Sequence, residues 1–191
     1  TNEVLCGRTA ERTTRIDVAE KHPLLLVGAA NLQFHQVWTF PHKAIFKNVK
    51  YIPGKIEAVN LDATGKEIGR TALQSAIGNT ILKLEADKKQ LRPNGQDLCF
   101  IELSLVGENG ILKMNADTEI NVRISGAGTL QGFGSAVPNT ENSFISGIYT
   151  TYRGRALIAV RTGYEEGEIH VSVSADGISE QTINIQVKGE E

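Results

Sequence analysis

The sequence predicts an all-β protein built as two β-sandwich domains in tandem, the second of them immunoglobulin-like. Three observations lead there. Short segments alternate apolar and polar residues with a period of two, as in Glu168–Ser174, where Ile169, Val171 and Val173 share one face. Clusters of Gly, Asn, Asp and Ser punctuate those segments at the spacing of a sandwich. Helical periodicity is weak: in Ala10–Ala19, Thr13, Thr14, Ile16 and Val18 favour strand.

The elements follow in order. Thr14–Val18, Leu24–Gly28, Lys43–Val49, Lys55–Val59 and Glu67–Leu73 read as strands of a small first domain. Asp62–Lys66, polar and glycine-containing, should close a hairpin between the last two. Small and turn-forming residues at Ser75–Asn79 mark the boundary, which gives domains at residues 1–76 and 77–191. Beyond it Ile81–Ala86, Leu98–Val106 and Asn121–Ser125 are strand candidates, with Glu108-Asn109-Gly110 as a turn. The run Ala156–Val160 has no polar break and is expected to be a strand buried on both faces, with Leu157 and Val160 in the core. Glu168–Ser174 and Thr182–Val187 should form a final hairpin. Asp176-Gly177 between them suits a type I′ turn, whose two central residues both need positive φ.

Composition narrows the function classes. A net charge of −2 gives no general electrostatic reason to bind nucleic acid or an anionic membrane. The longest aliphatic cluster, Pro23–Ala30, is far shorter than the roughly 18 apolar residues of a membrane span. The first residues lack the basic and apolar pattern of a secretory leader. Cys6 and Cys99 are too few for a disulfide scaffold and lack metal or redox spacing, so each is expected to be a buried or incidental thiol. No cofactor is implied.

Candidate chemistry is sparse. Glycoside hydrolysis needs two carboxyl groups facing each other in a pocket, yet the acidic pairs Glu165-Glu166 and Glu190-Glu191 fall in a turn and at the terminus. No catalytic residue is assigned. Gly126-Ala-Gly128 opens like a dinucleotide fingerprint, but Gln131 breaks the pattern and no helix follows, so a loop or bulge is expected. His22, His35, His42 and His170 form no ligand set, and no metal site is expected. Three aromatic residues remain as candidates for stacking on sugar rings: Trp38, Tyr149 and Tyr152. Phe34, Trp38 and Phe40 share one strand parity, which also suits a core face. Arg153 and Arg155 can pair with Glu141 or stack on an aromatic face.

Several segments carry a family resemblance: Arg92–Leu98 (RPNGQDL), Gly126–Gly128, Gly132–Ser135 (GFGS), Pro138–Glu141, Phe144 and Tyr152–Arg155 (YRGR). They resemble a non-catalytic domain near the C-terminus of bacterial family 2 glycoside hydrolases of the β-galactosidase-like kind. Asn48–Gly54, followed by Lys55–Val59, is similar to the β-domain preceding it. The resemblance implies an accessory region that is no enzyme by itself. Its partner would be the catalytic barrel of a parent enzyme, with carbohydrate or a second copy of the parent as further contacts. In such domains Tyr152–Arg155 is a loop-to-strand edge with a structural role. The compartment expected for it is extracytoplasmic, periplasmic or secreted. An independent carbohydrate-binding module and an invasin-like surface adhesion domain are the alternatives.

Overall fold

The computed structural model describes residues 24–28, 37–40, 43–46, 53–61 and 66–189. All regular structure among them is strand. The chain divides into two compact units, Thr1–Ile77 and Gly78–Glu191.

In the first unit, β1 (Leu24–Gly28) pairs antiparallel with β4 (Lys55–Leu61), and β4 pairs antiparallel with β5 (Glu67–Gln74). The β4–β5 register closes at Leu61 and Glu67, as the hairpin reading requires. The turn residues 62–65 lie outside the described residues, as do Thr14–Val18, Cys6, His22, His35 and His42. A second pair, β2 (Val37–Phe40) with β3 (Lys43–Phe46), sets Trp38 opposite Ile45. The side chains of that pair lie outside the described residues.

The second unit is an immunoglobulin-like sandwich. Its strands are β6 (Ile81–Ala86), β7 (Gln90–Leu91), β8 (Leu98–Val106), β9 (Glu119–Gly126), β10 (Gly128–Gly134), β11 (Ile148–Thr150), β12 (Arg155–Thr162), β13 (Gly167–Ala175) and β14 (Ile178–Val187). One sheet has the order β10-β12-β8-β6, the other β11-β9-β13-β14-β7. All pairings are antiparallel except β7 with β14. The chain crosses from one sheet to the other between β6 and β7, so the first segment of the domain serves both layers.

Period-two patterning builds the core. Cys99, Ile101, Leu103 and Leu105 of β8 point inward with Ile158 and Val160 of β12. They meet Ile169, Val171 and Val173 of β13, with Ile120 and Val122 of β9 and Ile185 of β14 beside them. Each such side chain contributes roughly 1.5–3 kcal/mol on leaving water. Cys99 is a free thiol that burial pushes up to about 11, so it behaves as a small apolar side chain.

Two expectations need correction. The run Ala156–Val160 is buried on one face only. Ala156, Ile158 and Val160 point inward, whereas Leu157 is 48% exposed. Val160 is therefore a core residue and Leu157 is not. Apolar composition does not override the alternation of a strand, and the outer face of this sheet carries Leu157, Ala159, Phe100 and Glu102. The final hairpin exists, with Ala175 paired to Ile178 across Asp176-Gly177. Gly177 has φ +67°, but Asp176 does not enter the left-handed region, and the register shifts between Val173 and Ala175. A type I′ turn needs both residues at positive φ, so this turn is of another type.

The Arg92–Leu98 segment is a self-contained loop. Asn94 Oδ1 accepts the N–H groups of Gln96 and Asp97 at 2.9 and 2.8 Å, an Asx-type closure. Asp97 accepts the N–H of Arg92 at 3.1 Å, the N–H of Leu98 at 3.0 Å and Lys88 Nζ at 3.0 Å. The Arg92 N–H, then Lys88, hold its carboxyl below the usual carboxylate range. Gly95, at φ +70°, lies under Tyr164, where a Cβ would sit 2.5 Å from the ring. Its N–H donates to Gly163 O at 2.9 Å, which ties the loop to the β12–β13 connection.

Two outcomes are expected. Ile158→Ala should lower stability by about 2–5 kcal/mol, against less than about 1 kcal/mol for Leu157→Ala, measured by urea unfolding. The depressed Asp97 pKa makes its stabilisation complete above the ordinary carboxylate pKa and lost as pH falls through the lower folded value. Asp97→Asn should therefore flatten the acid limb of a stability–pH curve and leave its alkaline limb unchanged.

Candidate functional site

A groove of about 770 Å³ lies on the outer face of the four-stranded sheet. Its floor follows from strand register. Gly132 and Gly134 on the edge strand β10 pair with Ala159 and Leu157 on β12. Glycine on one strand beside alanine on the next leaves a trough, and Leu157 and the Glu102 paired with it continue the floor.

One wall is Phe144, from the loop between β10 and β11. The residue is 52% exposed, yet its ring is braced. It stacks on Tyr149 with centroids 5.4 Å apart and planes at 15°, and its carbonyl accepts the Phe133 N–H at 2.7 Å. Phe133 in turn meets Tyr149 edge-on at 6.1 Å. Gly134 makes room for this ring, since a Cβ there would lie 2.6 Å from Phe144 Cδ1.

The opposite wall is Tyr152–Arg155. Here Arg153 and Gly154 have φ of +52° and +71°. Tyr152 and Arg155 exchange backbone N–H···O bonds of 2.9 and 3.1 Å across them. This is the type I′ geometry that Asp176-Gly177 lacks. Arg153 is the one non-glycine residue at positive φ among the described residues, a conformation that costs on the order of 1–2 kcal/mol. Its surroundings impose it. The Arg153 N–H donates to Asp117 Oδ1 at 2.9 Å, and the Leu105 N–H donates to Gly154 O at 2.8 Å. A Cβ at Gly154 would stand 2.5 Å from Lys113 O, so only glycine fits. Thr151, just before the turn, is buried; its Oγ1 accepts the Thr118 N–H at 2.9 Å and donates to Ala116 O at 3.2 Å. The guanidinium of Arg153 lies over the Tyr152 ring, 5.4 Å from the centroid. Arg155 forms an ion pair with Glu102.

Of the sugar-contact candidates, Tyr152 lines this groove, with Arg153 over its ring. Tyr149 does not serve as a platform. It is 2% exposed, and Phe133 and Phe144 cover it. Its strand β11 pairs with β9 on the opposite sheet and points the ring into the core. Trp38 lies in β2, with its side chain outside the described residues. Arg155 pairs with Glu102, not with Glu141. Phe144, Gly132, Gly134 and Leu157 were not candidates from sequence. The available signal was alternate glycines on one strand.

Other candidates settle into structural roles. Gly126-Ala-Gly128 is the tight link from β9 to β10, where a Cβ at Gly126 would stand 2.0 Å from Glu168 O. His170 is exposed with Nδ1 3.1 Å from Asn184 Oδ1, and no group of three metal-binding side chains occurs among the described residues. Glu165 and Glu166 are exposed in the β12–β13 turn, where Glu166 accepts the Gly189 N–H at 2.8 Å.

A β-sandwich with a grooved outer sheet defines the class: a β-sandwich module with a ligand-sized surface groove. Residues 82–184 match glycoside hydrolase family 2 C-terminal domain 5, and the chain belongs to this family. The segments that carried the resemblance in the second domain fall inside the matched span. Beta-galactosidase BoGH2A of Bacteroides ovatus is 22% identical over 140 residues, which are 73% of this chain and 16% of that protein. A glycosyl hydrolase family 2 member from Bacteroides cellulosilyticus is similar in structure, with a TM-score of 0.68 and 31% identity over 75% of this chain and 20% of that one. A beta-glycosidase from Bacteroides vulgatus shares the fold at a TM-score of 0.65 and 22% identity, over 86% of this chain and 22% of that one. The chain thus spans less than a quarter of the length of each of these relatives.

The turn geometry yields an asymmetric expectation. Gly154→Ala should destabilise by more than about 1 kcal/mol, through both positive φ and the clash with Lys113 O. Arg153→Gly should leave stability unchanged or raise it by up to about 1 kcal/mol, because it removes a left-handed Cβ. Thermal and urea unfolding of the two variants, run side by side, check this.

Proposed function

We propose that this chain is a non-catalytic accessory region of a longer, β-galactosidase-like family 2 glycoside hydrolase. In that setting it supplies rigid surface beside the catalytic barrel, where it supports the enzyme and walls its substrate cleft or an oligomer contact. The observation that carries this reading is the family match over residues 82–184, which coincides with the immunoglobulin-like sandwich. The small share of each relative that the chain spans supports it further. So does the placement of the carboxylates. A glycosidase pair stands about 5–9.5 Å apart with one pKa raised. Glu102, in the groove, is held by Arg155, while the Asp97 carboxyl is shifted downward, against the need of a general acid. An extracytoplasmic location, periplasmic or secreted, is part of the same proposal.

The purified chain is expected to release no nitrophenol from nitrophenyl β-galactoside or β-glucuronide above the buffer rate. The longer protein that includes the barrel should turn over one of these substrates. Deleting this region from it should lower thermal stability or alter assembly while the barrel chemistry remains detectable. Turnover by the isolated chain that survives purification from contaminating hydrolases would overturn the reading.

A further inference from the structure

We propose that the groove between Phe144 and the Tyr152–Arg155 turn is a binding subsite for an acidic sugar unit, a uronate carried on an oligosaccharide. Its carboxylate would be received by Arg153, and the apolar face of its ring would rest against Phe144.

The strained turn is the first support. A left-handed arginine persists only where the surrounding structure over-determines it, and such residues cluster at ligand clamps. Glycine or asparagine would make this turn without strain. Arginine there brings a guanidinium to the mouth of the groove. Charge is the second support. Among the charged side chains lining the groove, Glu102 is committed to Arg155, whereas Arg153 makes no ion pair among the described residues. Asp117, beside the turn, accepts the backbone N–H of Arg153. The lining therefore carries one positive charge outside an ion pair, on a planar group suited to a carboxylate. The guanidinium lies over the Tyr152 ring, 5.4 Å from its centroid, which places it beside the groove lining.

Shape is the third support. The floor of Gly132, Gly134 and Ala159 is shallow and apolar, and the walls are a braced aromatic ring and a polar turn. A pyranose has the matching surface, with apolar C–H faces and a polar rim. The volume of about 770 Å³ is that of an ordinary small-molecule site and has room for a short oligosaccharide. Strand addition by a peptide is blocked at Phe133, whose N–H is already taken by Phe144 O. The proposal does not depend on whether the chain hydrolyses anything, and the hydrolysis assays above test that question separately.

The test is an amide NMR titration of the full 191-residue chain with tetragalacturonate, against a neutral galacto-oligosaccharide of equal length. Tetragalacturonate should shift the amides of Gly132, Gly134, Phe144, Arg153 and Leu157 saturably, and added salt should weaken the effect. The neutral sugar should bind at least about tenfold more weakly, roughly one charge-assisted contact. Arg153→Gly keeps the turn and should lose the preference for acid; Phe144→Ala should weaken both sugars. Absence of shifts up to about 10 mM, where even a Kd of roughly 1 mM is near saturation, would overturn the proposal. So would equal binding of the two sugars, or retained acid preference in Arg153→Gly. Shifts of the same amides by the catalytic part of the longer protein, with none from sugar, would make the groove a domain-docking face instead.

Discussion

β8 and β12 lie side by side in the four-stranded sheet, with Ile101 opposite Ile158 and Cys99 opposite Val160. This pairing sets which side chains of these two strands face the core and which face outward. Side chains alternate along a strand, so a slip of one residue on β12 would turn Ile158 and Val160 to the outside and drive Arg155 into the core. Burying a charged group in that way is far costlier than exposing a leucine. The alternation on β8, β12 and β13 therefore does two things at once. It assembles a core against the second sheet, and it places Glu102, Leu157 and Ala159 together on the outer face.

The groove is a consequence of that register. β12 begins at Arg155, directly after the Arg153-Gly154 turn, so the turn is anchored to the best-packed strands of the domain. Leu105, a core residue of β8, bonds through its N–H to Gly154 O. Asp117 and Thr151 hold the turn from the side of β9. Strain at Arg153 is small beside the burial of the β8 and β12 side chains, and so the fold can keep it. Across the trough, Phe144 rests on Tyr149, which is itself part of the core. Both walls thus stand on buried residues, which gives a surface site the precision of the sandwich beneath it.

Much of this was legible in the residues. Ile169, Val171 and Val173 showed their face by strict alternation, and Leu98–Val106 was bounded to the residue by its composition and the turns around it. The uniform run Ala156–Val160 misled, because an apolar stretch shows no parity of its own; the partner strand decides which residues are inside. Asp176-Gly177 looked like the type I′ turn because the dipeptide suits one. A register shift two residues earlier leaves only the glycine in the left-handed region. The true type I′ turn was hidden by its arginine, a residue whose sequence preference argues against that conformation. Local preference failed at Arg153, where the Arg153 N–H bond to Asp117 and the Leu105 N–H bond to Gly154 O hold the turn. Tyr149 was a candidate for sugar stacking as an aromatic residue beside Thr150-Thr151, but in β11, paired with Ile120, it is buried in the core.

The core register locks the Arg153 turn. Amide hydrogen exchange of the full chain measures this directly, since it reports the free energy of opening at each N–H. The Arg153 N–H donates to Asp117 Oδ1 and the Arg155 N–H donates to Tyr152 O. They should exchange in the same slow class as those of Ile101 and Ile158. Turn amides that exchange at the rate of an unstructured loop, while β8 and β12 stay protected, would show that the turn opens independently of the core and is not locked by it.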